Sequence, residues 1–348
     1  MSVAAATLRK GCWVFGWLLG LCILAACGNA VSEKASPSVS FEIPSTQVES
    51  SPVTVSETPS AALSPSATAT PQAGSPTPPS TSTSAPTLTA ASPQMPAPTA
   101  SGSWESMPVI PQVSQRAVEI YRAGLRAGNN PQAFSKIGDG EISAEWFFRA
   151  FDYGSDYYDL GPYQELSPAI AYFAGSFQRD SMAARRGYNT TLILSPDAAD
   201  PRFCNPGESP LVCELNLHQP SLALLSLGTN QVWSPTTFEQ EMRQILDLLL
   251  QRGVVPVLST KADNLEGDNR INKIIADLAV EYELPLWNFR LAVQPLPDHG
   301  LQADREHLTY GSFDFSDSAM LQRAWTVRNL TALQALDATW RALAQTAP

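Results

Sequence analysis

Cationic and metal-ligating side chains are scarce in this chain. Its 348 residues hold 22 Lys and Arg against 33 Asp and Glu, with only three His and five Cys. The net charge of −11 falls mainly on the C-terminal part of the chain. It excludes the basic surface that nucleic acid or anionic lipid requires. Two cysteines without nearby histidines are too few ligands for a metal, and neither a metal nor a cofactor is expected. Between Thr58 and Trp104 charge of either sign is missing altogether. No internal repeat interrupts the chain.

What is present at the N-terminus is an export pattern. Arg9 and Lys10 precede an apolar run from Gly11 to Ala26, long enough for a signal-peptide core but short and badly flanked for a soluble-domain helix. Leu24, Ala25, Ala26 and Cys27 close it as a lipobox. Residues 1–26 are therefore expected to be a lipoprotein signal, with Cys27 as the lipidated first residue of the mature chain. Each buried acyl methylene contributes about 0.8 kcal/mol to membrane attachment. A plain secretory signal or an uncleaved anchor is the alternative. The expected location is extracytoplasmic, on the cell membrane or an outer membrane. Residues 27–103, rich in Pro, Ser, Thr and Ala, cannot bury enough apolar surface to offset their ordering entropy and read as a disordered stalk.

Residues 104–348 form one domain-sized block. Apolar runs and helical stripes alternate along it, predicting an α/β fold: three layers, α/β/α, around a mostly parallel sheet. Strands are expected at 133–137, 221–227, 254–258 and 284–289. Amphipathic helices are expected at 113–126, from Ser234 to Gly253, around Ile271 to Tyr282, and through Leu330 to Leu343. Cys204 and Cys213 flank a turn-rich stretch, and outside the cytoplasm a disulfide between them is expected, with two buried thiols as the alternative.

In an open parallel sheet chemistry gathers beyond the carboxyl ends of the strands. Three loops there carry candidates. Gly138, Asp139 and Gly140 follow the first strand, Gly228, Thr229 and Asn230 the second, and Asp304, Arg305, Glu306 and His307 come after the last. An Asp three residues before a His can orient the ring through one nitrogen and leave the other as general base. The amide of Asn230 and the backbone N–H of Gly187 are candidate oxyanion donors. His299 beside Asp298 is the competing histidine, and His218 reads as structural.

At these residues the chain resembles the SGNH/GDSL hydrolase superfamily, flavodoxin-like esterases of acyl groups. Gly138 and Asp139 match its Gly-Asp-Ser block, Gly187 its second-block glycine, Gly228 and Asn230 its Gly-x-Asn-Asp block, and Asp304 and His307 its Asp-x-x-His block. Gln231 replaces the final Asp of the third block, and Gly140 stands where the resemblance places the nucleophilic serine. Loss of that serine typically costs on the order of a million-fold in turnover. The expectation is a tethered domain, catalytically impaired, that binds an acylated or polyhydroxylated glycan. The alternative is an active esterase on carbohydrate esters with a substitute nucleophile such as Ser143, or with Glu141 activating water. Two further clusters have double readings. Thr260, Lys261, Asp263 and Asn264 bind a polar ligand or cap a helix. The aromatic run from Trp146 to Tyr163 stacks on a ligand or packs in the core.

Overall fold

The structure, a computed structural model, describes residues 103–345. The signal segment, Cys27 and the stalk up to residue 102 lie outside the described residues.

Four parallel strands form the sheet in the order β1 (Asn130–Gly138), β2 (Pro220–Ser226), β3 (Val255–Ser259) and β4 (Leu286–Trp287). Every residue of β2 and β3 is buried, as continuous apolar runs predict for strands covered on both faces. The helices Gln115–Arg126 and Ala324–Ala344 pack together on one face. The helices Pro210–His218, Pro235–Gln251 and Arg270–Glu281 lie on the other. This is the expected three-layer α/β architecture.

Register places the strand ends level. Gly138 pairs with Ser226, Ser226 with Ser259, and Ser259 with Trp287. On the free side of β1 the sheet continues by a single parallel bridge, Gly138 to Ala184. There the Gly138 N–H donates to the Ala183 carbonyl at 2.9 Å and the Arg185 N–H to the Gly138 carbonyl at 3.1 Å. After β1 the chain thus goes to one side, to Ala184, and returns on the other side as β2. Such a reversal is a topological switch point, the place where open α/β sheets take their ligands.

The fourth strand is shorter than its sequence predicts. Instead of 284–289 it covers Leu286–Trp287, and Phe289–Val293 turns into a helix. The Asn288 side chain accounts for the break. It caps that helix by accepting from the Leu291 N–H, and its amide donates to the carbonyls of Trp104 and Met107. The Cys204–Cys213 disulfide is formed, with Cα atoms 5.2 Å apart. A loop this short contributes about 2 to 3 kcal/mol. It anchors the Pro210–His218 helix, whose wholly buried Glu214 accepts from the Met182 N–H at 2.9 Å and pairs with Arg179.

Candidate functional site

The turn that ends β1 has two glycines with different reasons to be glycine. At Gly138, φ is +152° and a Cβ would lie 1.9 Å from the Ser226 carbonyl oxygen, so no side chain fits. Gly140 has no such constraint. Its backbone is not left-handed, and a Cβ there would meet Arg186 Cγ at 3.7 Å, an ordinary contact. Between them Asp139 caps the short helix Gly140–Ser143, its Oδ1 accepting from the Glu141 N–H at 3.1 Å.

The turn that carries Gly187 lies against Gly140 through Arg186. Arg186, whose Cα would lie 3.9 Å from a Cβ on Gly140, directly precedes Gly187. Gly187 occupies the third position of a turn closed by the Tyr188 N–H on the Arg185 carbonyl at 3.0 Å. Its φ of +82° suits a type II turn. The Asn230 amide donates to the Tyr188 carbonyl at 2.8 Å, joining the loop after β2 to the Gly187 turn. Gln231 accepts from the Thr190 N–H at 2.9 Å and donates to Glu241 at 3.2 Å, fastening the neighbouring helices.

Asp304 and His307 form the expected pair, with His307 Nδ1 2.8 Å from Asp304 Oδ2. A carboxylate partner assigns the proton to Nδ1 and leaves Nε2 as an acceptor. The N–H groups of Glu306 and His307, and then the His307 ring, hold the Asp304 carboxyl at about 2. Both side chains are exposed. His299 spends its Nδ1 on the Gln294 carbonyl, 3.0 Å away. His218 closes the helix that leads into β2, at the opposite end of the strands. Ser143 makes no hydrogen bond to His307, so the structure does not supply it with the base a nucleophile needs.

No protein-family model matches the chain, and no curated protein matches it. Solved structures do. A putative lipolytic protein of the G-D-S-L family from Desulfitobacterium hafniense DCB-2 is similar over 59% of this chain and 99% of its own, at 10% identity and a TM-score of 0.38. A GDSL-like lipase from Bacteroides thetaiotaomicron VPI-5482 is similar over 64% of this chain and 98% of its own, at 12% identity and a TM-score of 0.35. Both neighbours carry the G-D-S-L name.

Beneath the turn that ends β1 lies a group of charged side chains, of which Arg328 and Glu266 are the members the sequence did not point to. Arg328, from the C-terminal helix, is wholly buried. Its Nη2 donates to Ser226 Oγ at 2.9 Å, and its Nη1 lies 3.2 Å from Glu141 Oε2. The rings of Phe289, Trp287 and Phe147 surround the guanidinium at 4.8, 5.1 and 5.2 Å. Beside it Lys261 pairs with Asp263 at 2.6 Å and Glu266 at 2.7 Å, and Thr229 Oγ1 donates to Asp263 Oδ2 at 2.7 Å. Asp263 is thus a counter-ion. Neither it nor Asn264 caps the following helix, because Asn264 Oδ1 accepts instead from the Asn269 N–H. Burial raises Glu141 and Asp139 above the ordinary carboxylate range, outweighing the attraction of Arg328. The signal for Arg328 was its spacing: it falls with Trp325 and Ala332 on the apolar side of its helix, where a cation needs a reason.

The aromatic run divides. Phe147, Phe148 and Phe151 are core residues, whereas Trp146, Tyr153 and Tyr157 are exposed.

Proposed function

We propose that this chain is a membrane-tethered extracytoplasmic lipoprotein whose α/β domain recognises an acylated or polyhydroxylated glycan at the strand-end crevice without a side-chain nucleophile. One observation carries the reading: Gly140 has room for a Cβ and no backbone need to be glycine, yet it offers no hydroxyl. The groups that would serve such a hydroxyl are kept. Asp304 orients His307, Asn230 holds the Gly187 turn through the Tyr188 carbonyl, and Arg186 of that turn lies against Gly140. A second reading, an esterase, draws on Glu141. Burial raises this carboxyl, and its side chain is partly exposed, which suits a general base for water.

Hydrolysis of p-nitrophenyl acetate separates the two. The unmodified chain is expected to be inactive, and Gly140→Ser to gain at least about a hundredfold over background, with the gain lost in the Gly140→Ser/His307→Ala double variant. Turnover by the unmodified chain that disappears in Glu141→Gln would replace the recognition reading with the esterase.

A further inference from the structure

Two of the loops at the strand ends hold large aromatic rings in solvent. Trp146, beyond the Gly140 helix, is 43% exposed, and Tyr310, in the loop of His307, is 65% exposed. They are not independent. The Trp146 ring meets Tyr310 edge-on at 5.7 Å and the buried Trp325 edge-on at 5.8 Å. The backbone around Trp146 is clamped as well. Asn329, wholly buried in the C-terminal helix, donates to the Trp146 carbonyl at 2.9 Å and accepts from the Phe148 N–H at 2.8 Å. This aromatic surface is fixed in place before any ligand arrives, so binding there orders little that was loose.

The chemistry around it narrows the occupant. A net charge of −11 repels anions. Tyr310 follows His307 by three residues in the same loop, and an acyl chain alone would make no use of the polar Asp304–His307 pair which that loop also carries. A pyranose ring uses both kinds of surface. Its C–H face is attracted to the negative face of an aromatic ring, while its edge hydroxyls reach hydrogen-bonding groups.

We infer that Trp146 and Tyr310 form a stacking subsite for a pyranose unit of a neutral polysaccharide, next to the Asp304–His307 pair. The inference rests on reading the crevice as a glycan-recognition site and names the part of the ligand that the rim holds.

The test is affinity electrophoresis of the full chain in mild detergent against acetylated xylan, deacetylated xylan and dextran. The expected result is retardation by at least one of them, weakened about tenfold or more in Trp146→Ala and in Tyr310→Ala. Trp146→Phe, which keeps an aromatic face, should retain most of the binding. Leu217→Ala, on an exposed side chain at the opposite end of the sheet, should leave it unchanged. Near-ultraviolet circular dichroism checks that each variant is folded, and Tyr310→Ala is the variant of record if Trp146→Ala is not. Absence of retardation by all three polysaccharides overturns the inference. So does retardation that survives both aromatic substitutions, and if it is then lost in His307→Ala, the crevice reading stands while the aromatic subsite falls. Ester hydrolysis by the unmodified chain, measured on the same samples, overturns the recognition reading and is scored separately from the aromatic variants.

Discussion

Beneath the turn that ends β1, a floor is formed by the buried Asp139 and Asp263 and the partly exposed Glu141 beside Arg328 and Lys261, whereas in the last loop, taken as the rim, Asp304 and His307 hold each other in open solvent. The floor removes charges from water, and burial raises two of its carboxyls despite the nearby guanidinium. The rim leaves its carboxyl hydrated and hydrogen-bonded by backbone N–H groups, which lower it. Floor residues are therefore bound up with folding, and rim residues are free to change without much effect on it. A group kept at the rim says more about function than one kept at the floor.

The largest effect that sharpens this contrast is expected from Arg328→Met. Without the cation, Glu141 loses its buried partner and Ser226 its donor. Breaking a buried pair from one side costs about 3 to 5 kcal/mol, which urea unfolding at pH 7 will measure. Arg328→Lys should not rescue it, since a point charge cannot keep the planar contacts with Phe289, Trp287 and Phe147. A loss well below 1 kcal/mol would erase the distinction between floor and rim.

A smaller effect is expected from pH. A carboxyl whose pKa rises on folding favours the folded state when protonated. Its contribution is full below the ordinary carboxylate value and is lost as pH climbs through the folded value. Glu141 is shifted in this direction, chiefly by burial. Stability should therefore decline from the ordinary carboxylate range toward neutrality, and Glu141→Gln should flatten that decline by on the order of 1 kcal/mol. Asp139, shifted in the same sense, leaves a residual slope. Unfolding midpoints taken across this range decide it, and an unchanged slope in Glu141→Gln would show that the floor is more hydrated than its burial implies.

The smallest effect belongs to the rim. His307→Ala should leave the unfolding midpoint unchanged within error, because the loop is also held by the Gln302 amide on the Leu308 carbonyl and by the Thr309 N–H on the Gly300 carbonyl, each at 2.8 Å. A clear loss of stability would make the pair a structural device and remove the contrast from the other side.

The sheet was legible because β2 and β3 are written as unbroken apolar runs and the helices as periodic stripes. Where side chains outside a strand decide its length, the pattern misled: Leu284 to Phe289 is apolar enough for a longer strand, but Asn288 caps a helix within it. The exposed pair Asp304 and His307 was legible because its partners are neighbours in sequence. The Arg328–Glu141 contact was not, because it joins residues far apart in the chain and Arg328 belongs to no local motif. Trp146 could not be separated from Phe147 and Phe148 by composition. Which rings point outward is set by the clamp from Asn329.

Gly140 has a consequence in the language of mutation. Glycine and serine codons can differ by one base, and here the backbone already suits a side chain and the space for its Cβ is open. No folding barrier separates this chain from a version bearing a hydroxyl at that turn. The choice between glycine and serine at position 140 is therefore one that the backbone and the space around it leave open, and its consequence falls on what the turn can do to a ligand.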